Sequence, residues 1–242
     1  MKKYSPSEEV DFVVIGSGAA GGVMAKQLAV AGFSVVVMEQ GAWGAYGHEQ
    51  DYNKDELINR FPAEQDVLIS DPKKHRNTFR RNVNEKAVAG THSYGCVVGG
   101  GTVTYGASSW RHLPWEFDEA SRFGTMKGTG IADWPVSYAE IEPYYTQAEW
   151  EIGISGPNLK TPLIAPMSKP YPCRPLPLKS SGALVQKAAE KLGLTVTPNV
   201  AAIITEPYNG RSGCINCGAC SGYGCQTKAR SSSAVALLPV AV

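Results

Sequence analysis

The 242 residues contain no low-complexity run and no excess of charge of either sign, with 23 Lys+Arg against 22 Asp+Glu. The absence of a basic field argues against nucleic acid or an anionic membrane surface as a partner, and recognition must be local. Long apolar runs are missing as well. The longest charge-free stretch, Ala87 to Trp110, holds six glycines and His92 and reads as loop, so no transmembrane segment is expected. The N-terminus, Met-Lys-Lys-Tyr-Ser-Pro-Ser-Glu-Glu, lacks the apolar stretch of a secretory signal, which argues against direct export. Cysteine is sparse, six in all, and four of the six fall within twelve residues, which suits metal or redox chemistry better than a disulfide framework. Cys96 and Cys173 stand apart and read as structural thiols. What the chain does have is 43% hydrophobic residues, 26 Gly and 16 Pro, the composition of a loop-rich globular fold.

The most legible segment is residues 10–41. Val10–Ile15 and Ser34–Met38 are β-branched runs suited to buried parallel strands, and the stretch Ala19 to Ala31 between them reads as a helix stopped at Gly32. Together they predict a βαβ unit with a right-handed crossover. Ala42 to Lys86 is polar and charged and predicts excursion loops around short helices with a solvated surface. Tyr138 to Ile152 predicts an amphipathic helix, with Tyr138, Ile141, Tyr145, Ala148 and Ile152 on one face. Six prolines between Asn158 and Lys179 suggest a boundary or crossover. Ser181–Leu192 reads as helix and Thr195–Thr205 as strand, a pair able to return the chain to the first sheet.

Gly16-Ser17-Gly18-Ala19-Ala20-Gly21 follows the first strand and opens the helix, the context in which a G-x-G-x-x-G pattern indicates a dinucleotide. Gly16 permits the tight turn, Gly18 lets backbone approach a pyrophosphate and Gly21 lets helix pack on strand. Ala19 and Ala20 belong to the helix N-terminus, where unpaired N–H groups favour an anion. Glu39, followed by Gln40 at the end of the second strand, is placed to accept hydrogen bonds from ribose hydroxyls, and its negative charge disfavours a 2′-phosphate and hence NADP. The fingerprint by itself leaves FAD and NAD open. A second glycine stretch, Gly99-Gly100-Gly101-Thr102-Val103-Thr104-Tyr105-Gly106, is either a second cofactor contact or a plain turn.

Cys214, Cys217, Cys220 and Cys225 form C-x2-C-x2-C-x4-C, and small residues between the thiols allow tight wrapping. The first two spacings match a ferredoxin loop, and the third is one residue longer, with Gln226 where proline is usual. Three readings stay open: an iron–sulfur cluster, a four-thiolate zinc site, and unliganded thiols.

Several motifs in order carry a family resemblance. The βαβ unit with Glu39-Gln40-Gly41, the loop Gly99 to Gly106, Asp133-Trp134-Pro135-Val136-Ser137-Tyr138 before Glu142-Pro143-Tyr144-Tyr145, and Gly224-Cys225 with Lys228-Ala229-Arg230-Ser231-Ser232 and Leu238-Pro239 together resemble the glucose–methanol–choline (GMC) oxidoreductases. The resemblance runs from about Val10 to the last residue. It implies an α/β fold, a Rossmann-like FAD-binding domain with part of an interleaved substrate domain. The expected division is 1–130 for the first part of the FAD-binding domain with a flavin-contact loop near 95–110, 131–178 for the start of a substrate or cap region, and 179–242 for the return with the cysteine cluster. It further implies FAD rather than NAD, oxidation of a CH–OH group of a small neutral alcohol, polyol or sugar, and flavin contacts at Gly99, Gly100, Thr102 and Gly106. Oxidase members carry Asn where this chain has Tyr105.

Some acceptor-reducing members resemble this chain in using cysteine-bound clusters, which adds an electron-accepting subunit or cytochrome as an expected partner and a non-oxygen acceptor as the electron sink. The family's proton-abstracting His and its His or Asn partner belong to a C-terminal half beyond Val242, so truncation is expected there and inactivity of this piece alone. None of His48, His75, His92 or His112 lies in a matching motif, and no catalytic residue is assigned. An NAD-linked dehydrogenase and a non-enzymatic metal-binding or electron-transfer module are the rival functions.

Overall fold

A computed structural model of the chain describes residues 5, 7–41, 43, 78–89, 95–162, 164–218, 220–221 and 224–242. The expected excursion over Ala42–Lys86 lies outside them except at residues 43 and 78–86. The chain forms two compact units, residues 1–107 with 215–242, and residues 108–214.

In the first unit, β1 (Phe12–Ile15) and β2 (Val35–Met38) pair in parallel, Phe12 opposite Val35 and Ile15 opposite Met38. Helix α1 (Ala19–Val30) connects them, as the glycine loop and the apolar runs predict. The strands begin on a shared lock: the Ser34 amide and hydroxyl donate to the Asp11 carboxylate at 2.8 and 2.6 Å. β3 (Thr78–Phe79) and β4 (Val88–Ala89) make a separate antiparallel pair. A 3₁₀ turn over Gly100–Val103 carries the second glycine stretch, and two short helices, Ser233–Ala236 and Leu238–Ala241, close the unit against α1. Ala25, Val97, Val98, Val103, Ala234 and Leu238 form its core. The expected burial of β1 is not met. Phe12, Val13 and Ile15 are exposed although Phe12 packs edge-on against Phe33, and of the strand's four residues Val14 alone is half-buried.

In the second unit, α2 (Glu119–Phe123) precedes α3 (Tyr138–Ile152), and α4 spans Ser180–Lys191. α3 starts where the sequence predicts because Ser137 and Glu140 cap it reciprocally, the Ser137 amide donating to the Glu140 carboxylate at 2.8 Å. Its buried face differs from the apolar pattern: Ala148 is exposed while Glu149 is buried. The reason is Arg111, whose guanidinium makes a two-pronged contact with Glu149 at 2.7 and 2.6 Å and also donates to Glu142, Tyr138 and Thr146. Thr195–Thr205 forms no ladder. Ala201 exchanges backbone hydrogen bonds with Ser155 inside this unit, and Ser108 also bridges to Ala201, so the segment does not return to the first sheet. The structure divides the chain at residues 107/108 and 214/215, and the proline-rich stretch runs within the second unit.

Candidate dinucleotide site

The site is built on the first glycine loop. The Gly16 amide donates to the Met38 carbonyl at 2.8 Å, which extends the β1–β2 register by one bond, and the chain then turns at φ +86°, a conformation suited to glycine. Gly18 caps α1 in an extended conformation, and a Cβ placed on it meets nothing within 4 Å. Gly21 is the opposite case, since a Cβ there would lie 1.9 Å from the Gly16 carbonyl oxygen. Gly18 thus has an open side and Gly21 packs tightly on the loop that leads into α1. Ala19 and Ala20 lie exposed in the first turn of α1, which carries no acidic side chain, so its free N–H groups suit an anion.

Glu39 follows β2 and turns back to the loop. Its Oε2 accepts from the Ser17 amide and hydroxyl at 2.9 and 2.6 Å, and its Oε1 accepts from the Gly41 amide at 2.8 Å. Partial burial works against the charge, but these hydrogen bonds, with one from the Gln40 backbone, outweigh it and hold the carboxyl below its ordinary value. Gln40 itself is exposed. Gly41 owes its identity to packing: a Cβ there would meet the backbone of Val97 and Cys96 at 2.2–2.5 Å.

The second glycine stretch lies against the first. Gly99 adopts φ +98°, its amide donates to the Ser17 hydroxyl at 2.9 Å, and a Cβ on Gly100 would sit 3.2 Å from the Gly18 Cα. Thr102 donates to the Gly99 carbonyl at 2.6 Å and accepts from the Ser233 amide at 3.1 Å. Ser233 in turn donates through its hydroxyl to the Ser17 carbonyl at 2.6 Å. Tyr105 donates to the Ser231 carbonyl at 3.1 Å, and the buried Arg230 guanidinium donates to the Tyr105 carbonyl at 2.7 Å and to the Val103 carbonyl. Gly106 is exposed, with open space where a Cβ would point. Thus Gly16, Gly18, Gly21, Glu39, Gly99, Gly100 and Thr102 come together, and Gln40 joins them through its backbone hydrogen bond to Glu39. Ser17 and Ser233, the two hydroxyls that join the loops, were not singled out by the sequence, because G-x-G-x-x-G leaves Ser17 as a variable position and Ser233 lies 216 residues away.

Cys217 is exposed, Cys214, Cys220 and Cys225 are half-buried, and no disulfide joins any of the four among the described residues. The Cys225 sulfur accepts from the Arg230 amide at 3.3 Å. Among the described residues no three His, Cys, Asp or Glu side chains gather to hold a metal ion. Cys96 and Cys173 are buried, as structural thiols should be. Of the histidines, His48, His75 and His92 lie outside the described residues. His112 belongs to the second unit, with its Nδ1 3.4 Å from Glu116.

Fold and site together define an α/β protein with a Rossmann-like βαβ unit and glycine loop. No family model matches the chain. It is 32% identical to the fructose dehydrogenase large subunit of Gluconobacter japonicus over 84% of this chain and 38% of that one. It is 31% identical to the gluconate 2-dehydrogenase flavoprotein of Pantoea cypripedii over 96% and 42%. With 2-methyl-1,2-propanediol dehydrogenase of Mycolicibacterium austroafricanum it shares 30% identity over 88% and 36%. The chain therefore spans about 40% of the length of the curated relatives it matches. Over that shared span it resembles the glucose–methanol–choline (GMC) oxidoreductases.

Proposed function

We propose that the chain binds FAD across its two glycine loops and serves an oxidoreductase that takes hydride from the CH–OH group of a small neutral alcohol, polyol or sugar. The observation that carries this reading is the approach of the two loops, 82 residues apart in sequence, through the Gly99–Ser17 hydrogen bond and the Gly100–Gly18 contact. The N-terminus of α1 would receive the diphosphate, Glu39 the ribose hydroxyls, and Gly99, Gly100 and Thr102 the second side of the cofactor. Bound FAD would supply the two-electron redox function, and the protein's part is binding and orientation. Glu39 enters that role already ionised and held from three sides, so it accepts from a ribose without reorganising.

The substrate class rests on relatives named for fructose, gluconate and a propanediol, three molecules that share a CH–OH group; fructose and the propanediol are neutral, whereas gluconate also carries a carboxylate. Two of the three are named as parts of larger assemblies or as flavoproteins, which supports electron transfer to a non-oxygen acceptor, an accepting subunit or a cytochrome. Titration with FAD and with NAD, followed by flavin fluorescence and calorimetry, tests the cofactor. FAD should bind and NAD should not, and preference for NAD or failure to bind FAD would overturn the reading. Sugars, polyols and alcohols added anaerobically to the flavin-loaded full-length protein should bleach the visible flavin band, and a panel that leaves the band unchanged would reject the substrate class.

A further inference from the structure

Ser17 occupies a position that the dinucleotide fingerprint leaves open, yet it is almost wholly buried and its single hydroxyl is used twice. It donates to Glu39 Oε2 at 2.6 Å and accepts from the Gly99 amide at 2.9 Å. The proton order is fixed, because an ionised carboxylate only accepts and an amide only donates. From Gly99 a ring of hydrogen bonds continues: Thr102 Oγ1 to the Gly99 carbonyl, the Ser233 amide to Thr102 Oγ1, and the Ser233 hydroxyl to the Ser17 carbonyl. The ring closes on the residue where it began. Glu39, outside the ring, is tied to it through the Ser17 amide and hydroxyl, both of which donate to its Oε2.

We propose that Ser17 is the positioning residue of the cofactor cradle, locking the second glycine loop and the ribose-facing acid to the first loop at the spacing a dinucleotide requires. The inference rests on the FAD reading above. The backbone separation between Gly18 and Gly100 leaves no slack, with a Cβ on Gly100 falling 3.2 Å from the Gly18 Cα. Without the hydroxyl, the buried Gly99 amide loses its acceptor and Oε2 keeps one donor instead of two. Both loops would then have to find their places when the ligand arrives, and that ordering subtracts from affinity. Ser233 acts one step further out, through the Ser17 carbonyl alone.

The test compares FAD dissociation constants of the full chain with those of Ser17→Ala, Ser17→Thr, Ser233→Ala and the core variant Leu238→Ala, at a temperature where circular dichroism shows each to be folded. Ser17→Ala should weaken FAD by about 10- to 100-fold, as expected for two lost hydrogen bonds, one of them to a charge. Ser17→Thr, which keeps a hydroxyl, should restore binding to within a few-fold of the parent, and Ser233→Ala should fall between. Leu238→Ala should melt earlier yet bind FAD as the parent does. Should Ser17→Ala fail to fold, the ordering of Thr against parent and of Ser233→Ala against Leu238→Ala decides the matter. The proposal is overturned if Ser17→Ala binds like the parent, or if Leu238→Ala loses as much affinity as the serine variants. A parent chain that binds no FAD overturns the cofactor reading itself, a result distinct from either.

Discussion

Gly18 and Gly21 stand three residues apart in one loop, and replacing each with alanine separates stability from ligand binding. At Gly21 the new Cβ would sit 1.9 Å from a backbone oxygen, against an ordinary contact of 3.4 Å or more, so Gly16 must move by about 1.5 Å. The obstacle is main chain and cannot swing aside. Overpacking of this kind costs about 1–3 kcal/mol, and the upper end applies because Gly16 is also bonded to Met38 in β2. Alanine returns about 1 kcal/mol through helix propensity, leaving a net loss of about 2 kcal/mol. For a chain of this length that lowers the melting temperature by roughly 4–8 °C. At Gly18 the backbone is already extended and the Cβ meets nothing, so Gly18→Ala should change stability by less than about 1 kcal/mol, the loss of a tolerated cap. Its methyl would instead fill the space that a diphosphate must enter. Differential scanning calorimetry with and without FAD reads both effects. Gly21→Ala should melt earlier in either condition, whereas Gly18→Ala should melt like the parent alone and lose the upward shift that FAD gives the parent. A Gly18→Ala protein that keeps the full shift, or a Gly21→Ala protein as stable as the parent, would refute the assignment.

Other outcomes follow from the second unit and the thiols. Arg111→Ala should destabilise the protein by about 3–5 kcal/mol in urea titrations, since Glu149 and Glu142 would be left buried without their cation. Burial opposes ionisation of Glu142, but Arg111, the Ser168 amide and hydroxyl and Thr146 outweigh it and lower its pKa to about 2 from an ordinary 4.5. A depressed carboxyl stabilises the fold above its unfolded value, so this contribution should be intact above about pH 4.5 and fade as pH falls toward about 2. The stability gap between the parent and Glu142→Gln should narrow over that window, and a gap independent of pH would contradict the assignment. Alkylation followed by mass spectrometry should modify exposed Cys217 early. Cys96 and Cys173 should react last, because burial pushes both thiols up, reinforced at Cys96 by the Glu39 charge and at Cys173 by that of Glu206.

What could be read directly from the chain is what neighbouring residues decide among themselves. The span Ala19–Val30 is helical between two β-branched runs, and Tyr138–Ile152 begins at its capping serine and ends at a glycine, because periodicity and caps act over a few residues. The turn at Gly16 and the tight packing at Gly21 were legible for the same reason. Signals failed where the deciding partner is remote. Glu149 looked like a solvent position until Arg111, 38 residues earlier, drew it inward. The segment 195–205 has the residues of a strand, but a strand exists only where another lies beside it, and here Ser155 and Ser108 offer single bridges. The apolar pattern of β1 said that both faces prefer burial, not which elements cover them.

The sequence alone therefore determined the βαβ unit, the glycine turn and the chemistry of a dinucleotide site, all local consequences of backbone freedom, caps and side-chain period. The tertiary structure decided how the two glycine loops meet, since that rests on Ser17 and Ser233, hydroxyls that carry no signal until the chain brings residues 82 and 216 positions apart within hydrogen-bond reach.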